Sequence, residues 1–273
     1  MRSIITLVLF LAAASTGAAA PLLNDGGSNF EFHAVTEIGF AKALSNSIQF
    51  GRTGTPFNYV TEGGEDILFP FGRLTAEAQF LKHHEIIFLI QPLDVQTQVA
   101  LKNDLLVDSV LFPAGTPMDL KYGFDFYRVS YLYDFAVQPD REIAVGLSVQ
   151  LRNASIIFAS QDGKLLHTNQ DLGIVPALKF RARLPLDRRS WVGTEIDGVY
   201  VSGRWISGSK YDFTGALLDG TVRYGRKLND WLDTFIGVRY LGGGASGSQG
   251  HSANDYTNNW LHTATLTLGF DMK

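Results

Sequence analysis

The sequence predicts an all-β fold, a transmembrane antiparallel up-and-down β-barrel of about ten strands with twelve possible, and three observations carry this. Segments that alternate apolar with polar residues recur along the chain. Four connections between them are short and polar, at Lys82–Glu85, Gln138–Arg141, Asp187–Ser190 and Lys227–Asp230, while the intervening connections are longer and rich in Gly, Ser and Asn. Side chains on a strand point alternately to opposite faces, so each segment has one apolar and one polar face. In lipid every backbone polar group needs a partner, and a closed sheet is the β-structure that leaves no edge.

The first 19 residues read as an export signal. Arg2 supplies a positive start, Ile4 to Ala14 an apolar stretch, and Ser15 to Ala20 small residues for cleavage after Ala18 or Ala19. Residues 20–273 then form one barrel domain. Beyond the signal no apolar run reaches the ~18 residues of a spanning helix.

The alternation places strands at about 30–41, 72–82, 85–96, 121–136, 142–154, 172–186, 190–202, 211–227, 231–242 and 258–271. The clearest is Glu142–Asn153, where Ile143, Val145, Leu147, Val149 and Leu151 alternate with Ala144, Gly146, Ser148, Gln150 and Arg152. Pairing across the four short turns puts both termini on the periplasmic side. The longer loops, about 42–71, 97–120, 155–171, 203–210 and 243–257, then face outward. Two segments resist the scheme. Val95 to Leu101 with Leu105 to Phe112 reads as a rim hairpin or as the extra strand pair of a twelve-stranded barrel, and Gly51 to Phe71 lacks a strand period and is free to fold over or into the mouth. Aromatic girdles are expected at the lipid interfaces, with Trp191 and Trp231 after periplasmic turns, Trp205 and Trp260 near outer loops, and Tyr127, Tyr131, Tyr133 and Phe135 on one face.

Charge excludes some classes. Removing the signal takes Arg2 with it and leaves 22 basic against 27 acidic residues, a formal charge of −5 with no basic block, which argues against a nucleic-acid partner. There is no Cys, so neither disulfides nor thiolate sites exist.

The parity that turns apolar residues toward lipid turns a set of charges inward: Arg73, Glu77, Arg128, Arg152, Lys179, Arg181, Arg183, Glu195, Asp197, Asp219, Arg223, Asp233 and Arg239. An unpaired ion in a narrow interior costs several kcal/mol, so opposite charges are expected to pair there. In particular, Lys179, Arg181 and Arg183 are expected to meet Glu195 and Asp197 across the short Asp187–Ser190 turn. A static interlocking network, a charged permeation path and a catalytic set all fit this pattern.

The C-terminal segment resembles the signal by which Gram-negative outer-membrane barrels are recognised for assembly. Thr263, Thr265, Leu268 and Phe270 take its alternating places, with Thr265 where that pattern has glycine and Asp271–Lys273 extending past the aromatic. The resemblance implies the cell outer membrane, contact with its lipid and lipopolysaccharide, and the barrel-assembly machinery as a partner.

Hydrolytic outer-membrane barrels supply an enzyme hypothesis. Outer-membrane phospholipases and lipid A deacylases place His and Ser two apart on a strand, whereas His251-Ser252 here are adjacent and lie in a Gly-rich loop. Omptin proteases use an acidic pair and an Asp-His pair, and no Asp-x-Asp or Asp-x-His occurs. His33, His83, His84, His167 and His262 lack ligand spacing, and Gly242–Gly247 lacks the Lys of a phosphate loop, so no metal or cofactor is expected. The leading reading is a barrel with a charge-filled lumen and a structural or surface-interaction role through its outer loops. The alternatives are a narrow channel for small solutes and, further off, a membrane hydrolase of lipid or peptide.

Overall fold

The computed structural model describes residues 30–136, 141–203, 205, 213–248 and 255–273. The expected signal, Gln138–Asp140 and His251-Ser252 lie outside the described residues. The strands are β1 (Phe30–Phe50), β2 (Phe57–Asn58), β3 (Leu68–Phe80), β4 (His84–Gln91), β5 (Asp94–Ala100), β6 (Leu105–Val107), β7 (Val110–Phe112), β8 (Pro117–Asp134), β9 (Glu142–Ser160), β10 (Leu166–Pro185), β11 (Ser190–Ser202), β12 (Phe213–Lys227), β13 (Leu232–Gly247) and β14 (Thr257–Met272). Each barrel strand pairs antiparallel with its neighbours, and β14 closes the ring on β1 from Ala34↔Met272 to Phe50↔Thr257.

The wall is ten strands round. β4 and β5 form one line along β8, broken at Pro92-Leu93 because proline cannot donate to the ladder, and β2 adds only a short pairing to β1. The segment Leu105–Phe112 folds as the separate β6–β7 hairpin, which settles the strand number at ten rather than twelve.

The short turns carry local hydrogen-bond chemistry. The Asp187 carboxylate accepts the N–H groups of Arg189 (2.7 Å) and Ser190 (2.8 Å), which holds its carboxyl below the usual range. Leu81 and Lys82 close the β3–β4 turn with φ of 53° and 68°, the left-handed twist that tight hairpins require.

Several strands outrun their expected ends. β9 and β10 continue to Ser160 and from Leu166, leaving a tight connection where a loop over 155–171 was expected, and β1 runs on to Phe50. On β1 and β9 the reason is a reversal of polarity. On β9 the outward residues change from Ile143–Leu151 to Asn153 and Ser155, while the inward ones become Ala154, Ile156 and Phe158, buried at 7, 1 and 1% exposure. Alternation persists above the lipid belt, but with its faces exchanged.

Outward side chains in the belt are apolar and uncovered: Leu147 is 62% exposed, Val149 47%, Leu178 70% and Val238 61%. Tyr127, Tyr131, Tyr133 and Phe135 share that face on or just beyond β8, and Trp231 and Trp205 are exposed. Trp191 corrects the girdle expectation. It is buried, packs on Phe235, lies under the Arg183 guanidinium and donates Nε1–H to Asp233 at 3.1 Å. Its indole needs the bare backbone of Gly225, where an added Cβ would lie 2.2 Å from the ring.

Candidate functional site

The lumen is filled in two layers, and each strand changes its inward chemistry at one height. Below the boundary stand Arg73, Gln91, Arg128, Gln150, Lys179, Asp197, Asp219 and Arg239, and above it Phe71, Leu93, Phe126, Ala154, Ala177, Val199, Leu217 and Leu241.

The lower layer contains one alternating chain of ions that crosses the barrel. Arg223 reaches Glu37 (3.1 Å), Glu37 meets Arg73 (3.3 Å), and Arg73 donates to both oxygens of Glu195 (3.0 Å). Lys179 bridges Glu195 (2.5 Å) and Asp197 (2.9 Å), Arg128 bridges Asp197 (2.7 Å) and Asp219 (2.9 Å), and Arg239 binds Asp219 through two nitrogens (2.6 and 2.8 Å). Amide and hydroxyl groups take up remaining capacity. Arg239 donates to Gln91, Arg128 to Gln150, and Ser148 bridges Ser130 and Asp197. Charges this deep need both a counter-ion and hydrogen bonds, and the chain supplies both.

Nearer the short-turn end are two further clusters. Arg181 serves Glu77 (3.0 Å), Glu142 (3.0 Å) and Glu85 (3.5 Å). Arg183 binds Asp233 and Asp271, which are shared with Lys273 and His33 respectively. Thus Lys179 meets Glu195 and Asp197, whereas Arg181 and Arg183 reach other strands instead. Arg181 is Glu195's register partner, yet Glu195 is already engaged by Arg73, Lys179 and Arg223, and the lumen is narrow enough for long guanidinium arms to cross. Arg152 stands apart from all three clusters, with its guanidinium 5.5 Å from the centre of the Phe124 ring.

Sequence reasoning missed Glu37, Glu85, Glu142 and Asp271. Glu37 was accessible by parity, since it lies between outward Thr36 and Ile38. Glu85 and Glu142 sit at strand starts, where periodicity is too short to assign a face.

The upper layer is apolar and plugged from the end opposite the short turns. Gly51–Ile67 folds into the mouth, with Tyr59 fully buried between Phe57, Tyr122 and Phe158 at ring distances of 5.1, 5.2 and 5.7 Å. The β6–β7 hairpin clamps it: Thr55 N–H donates to Leu106 O (2.8 Å) and Leu106 N–H to Thr55 Oγ1 (3.0 Å). β5 pairs with β8 alone and β3 above Leu74 with β1 alone, and the plug lies across that seam, Thr97 donating to Gly63 O while Gly64 sits against Val99.

Within the plug Glu65 is 2% exposed and accepts one hydrogen bond, from Asn46 at 2.8 Å, and burial pushes its carboxyl up to about 7. The docked plug therefore favours the neutral acid. Its contribution is complete below the ordinary value of 4.5 and is lost as pH climbs from there through about 7. Amides of Tyr59 and Glu65 are expected to exchange faster at pH 8 than at pH 5, after correction for intrinsic base catalysis. Glu65→Gln should remove that difference.

No cluster of His, Asp or Glu suited to a metal occurs among the described residues. Compared with known proteins, the chain matches no family model and no curated protein. Among solved structures it is similar to the outer-membrane protease OmpT of Escherichia coli, at 9% identity over 88% of this chain and 96% of that one, with a TM-score of 0.42. It is also similar to Ail, the attachment invasion locus protein of Yersinia pestis, in complex with a heparin analogue (11% identity, 89% and 99% coverage, TM-score 0.33), and to OprG of Pseudomonas aeruginosa (10%, 91% and 99%, 0.26). At these identities and scores none of them transfers a function.

Proposed function

We propose that the chain is an outer-membrane barrel that is sealed rather than conducting, with a structural or surface-interaction role through its outer loops. The observation that supports this most directly is the double obstruction of the lumen: an ion-pair layer below and an apolar plug with a fully buried Tyr59 above. A water-filled pore needs a continuous polar path, and the apolar layer interrupts one. The signal over residues 1–19, the lipid-facing belt and the terminal segment ending at Phe270 support export, contact with lipid and lipopolysaccharide, and recognition by the assembly machinery.

Planar-bilayer recordings of the folded full-length protein test the sealed reading. No unitary conductance steps are expected. Reproducible, ion-selective steps would replace it with the narrow channel.

The orientation is testable separately. An epitope inserted after Gly247 should be labelled on intact cells, and one between Pro139 and Asp140 should be labelled only after the outer membrane is permeabilised. The reverse pattern would invert the topology.

A further inference from the structure

Arg152 rises from β9 one inward step above Gln150, and among the described residues no carboxylate pairs with its guanidinium. Two contacts fix the group without neutralising it. The centre of the Phe124 ring lies 5.5 Å from Cζ, and a Cβ on Gly173, the register partner on β10, would lie 3.8 Å from Nε and Nη2. A ring face attracts a cation only weakly and carries no net charge to cancel it. The Arg152 Nε is buried and has no hydrogen-bond partner.

Gln150 adds a second donor. Its Oε1 accepts from both Nε and Nη2 of Arg128, which fixes the orientation of the amide and turns Nε2 away from that guanidinium. Gln150 is fully buried, and this Nε2 has no partner. Residues two apart share one face of a strand, so the two donors enter the lumen side by side.

Both line one cavity of about 30 Å³, walled by Phe124 and Phe126 of β8, Leu217 of β12 and Leu241 of β13. Among the described residues no Asp or Glu lines it. A space of that size takes two or three water-sized groups. Against an apolar wall, a single negative charge beside a guanidinium is held more strongly than in water, and here it meets no like charge. Water alone supplies acceptors but leaves the buried cation uncompensated.

The geometry points to a lumen site for one small monovalent anion of about chloride size, held by the Arg152 guanidinium and Gln150 Nε2 as the counter-ion of Arg152. The ion is a fixed part of the interior. It does not have to cross the ion-pair layer, so the site is compatible with a sealed lumen.

The test uses full-length protein folded in zwitterionic detergent micelles, with chloride exchanged for gluconate at constant ionic strength so that screening of exposed ion pairs is unchanged. Saturable excess broadening of the chloride-35 resonance is expected, and the urea midpoint should rise with chloride and level off over the same concentrations. Bromide should replace chloride. Sulfate, larger and doubly charged, should compete far more weakly. Arg152→Gln should raise the half-saturating chloride concentration about tenfold or more. Circular dichroism and heat-modified gel mobility should not change, because the substitution takes no cation from a described carboxylate. Gln150→Glu is the second variant, since one carboxylate oxygen can keep Arg128 while the other takes the place of Nε2 and gives Arg152 a counter-ion from the chain itself. It should fold and lose the chloride response. The proposal is overturned by absence of excess broadening, which would mean a cavity that holds water only, or by competition from sulfate equal to that from bromide. An unchanged chloride response in folded Arg152→Gln or in Gln150→Glu would overturn it equally.

Discussion

Arg181→Ala is expected to destabilise the barrel by about 3–5 kcal/mol, because it leaves buried carboxylates without their cation. Redundancy singles this residue out. Glu195 keeps Lys179 and Arg223 if Arg73 is lost, and Asp219 keeps Arg239 if Arg128 is lost, but among the described residues Glu77, Glu85 and Glu142 share Arg181 as the one cation paired with them. Arg181→Lys should recover part of the loss, since one ammonium cannot reproduce a planar fork facing three acids. Urea titration of folding into bilayers reads the effect. Near-wild-type stability together with a changed reversal potential would mean that these groups line a water-filled path.

Leu147→Arg is expected to cost about 2–4 kcal/mol in the same titration, the penalty for a guanidinium on the lipid face near the midplane. Leu147 is 62% exposed at the centre of the outward apolar run Ile143–Leu151 of β9, with Val145 and Val149 as its outward neighbours. The adjacent Ser148 is a contrasting control. It is 2% exposed and hydrogen-bonded to Ser130 and Asp197, so Ser148→Arg would fail by crowding and by displacing a partner of the ion chain, in water-soluble detergent as well as in lipid. Equal tolerance of Leu147→Arg and Leu147→Ala would contradict the lipid-facing assignment.

These two residues also show where sequence is sufficient. A strand has a side-chain period of two, so Leu147 and Ser148 declare their faces without knowledge of any neighbour, and four short turns fix which strands are adjacent. The fold class, the ten strands and the inward direction of Arg181 follow from that local rule. Its partners do not, because Glu77 is 104 residues away and the choice among carboxylates depends on strand tilt, lumen width and prior occupation of Glu195. Trp191 fails for a related reason: the same alternation that assigns a face cannot tell a girdle from an indole laid over Gly225.

The upper layer was hidden by its own regularity. In β9 alternation continues past Asn153 with its polarity exchanged, which reads as the end of a strand unless something apolar is known to fill the barrel. That filler is Gly51–Ile67, a stretch without strand period whose burial of Tyr59 depends on contacts with Tyr122 and Phe158. By itself the sequence determined the wall, because a wall is a repeating local pattern, and only the tertiary structure decided what the wall encloses, because that depends on contacts between residues that no local period connects.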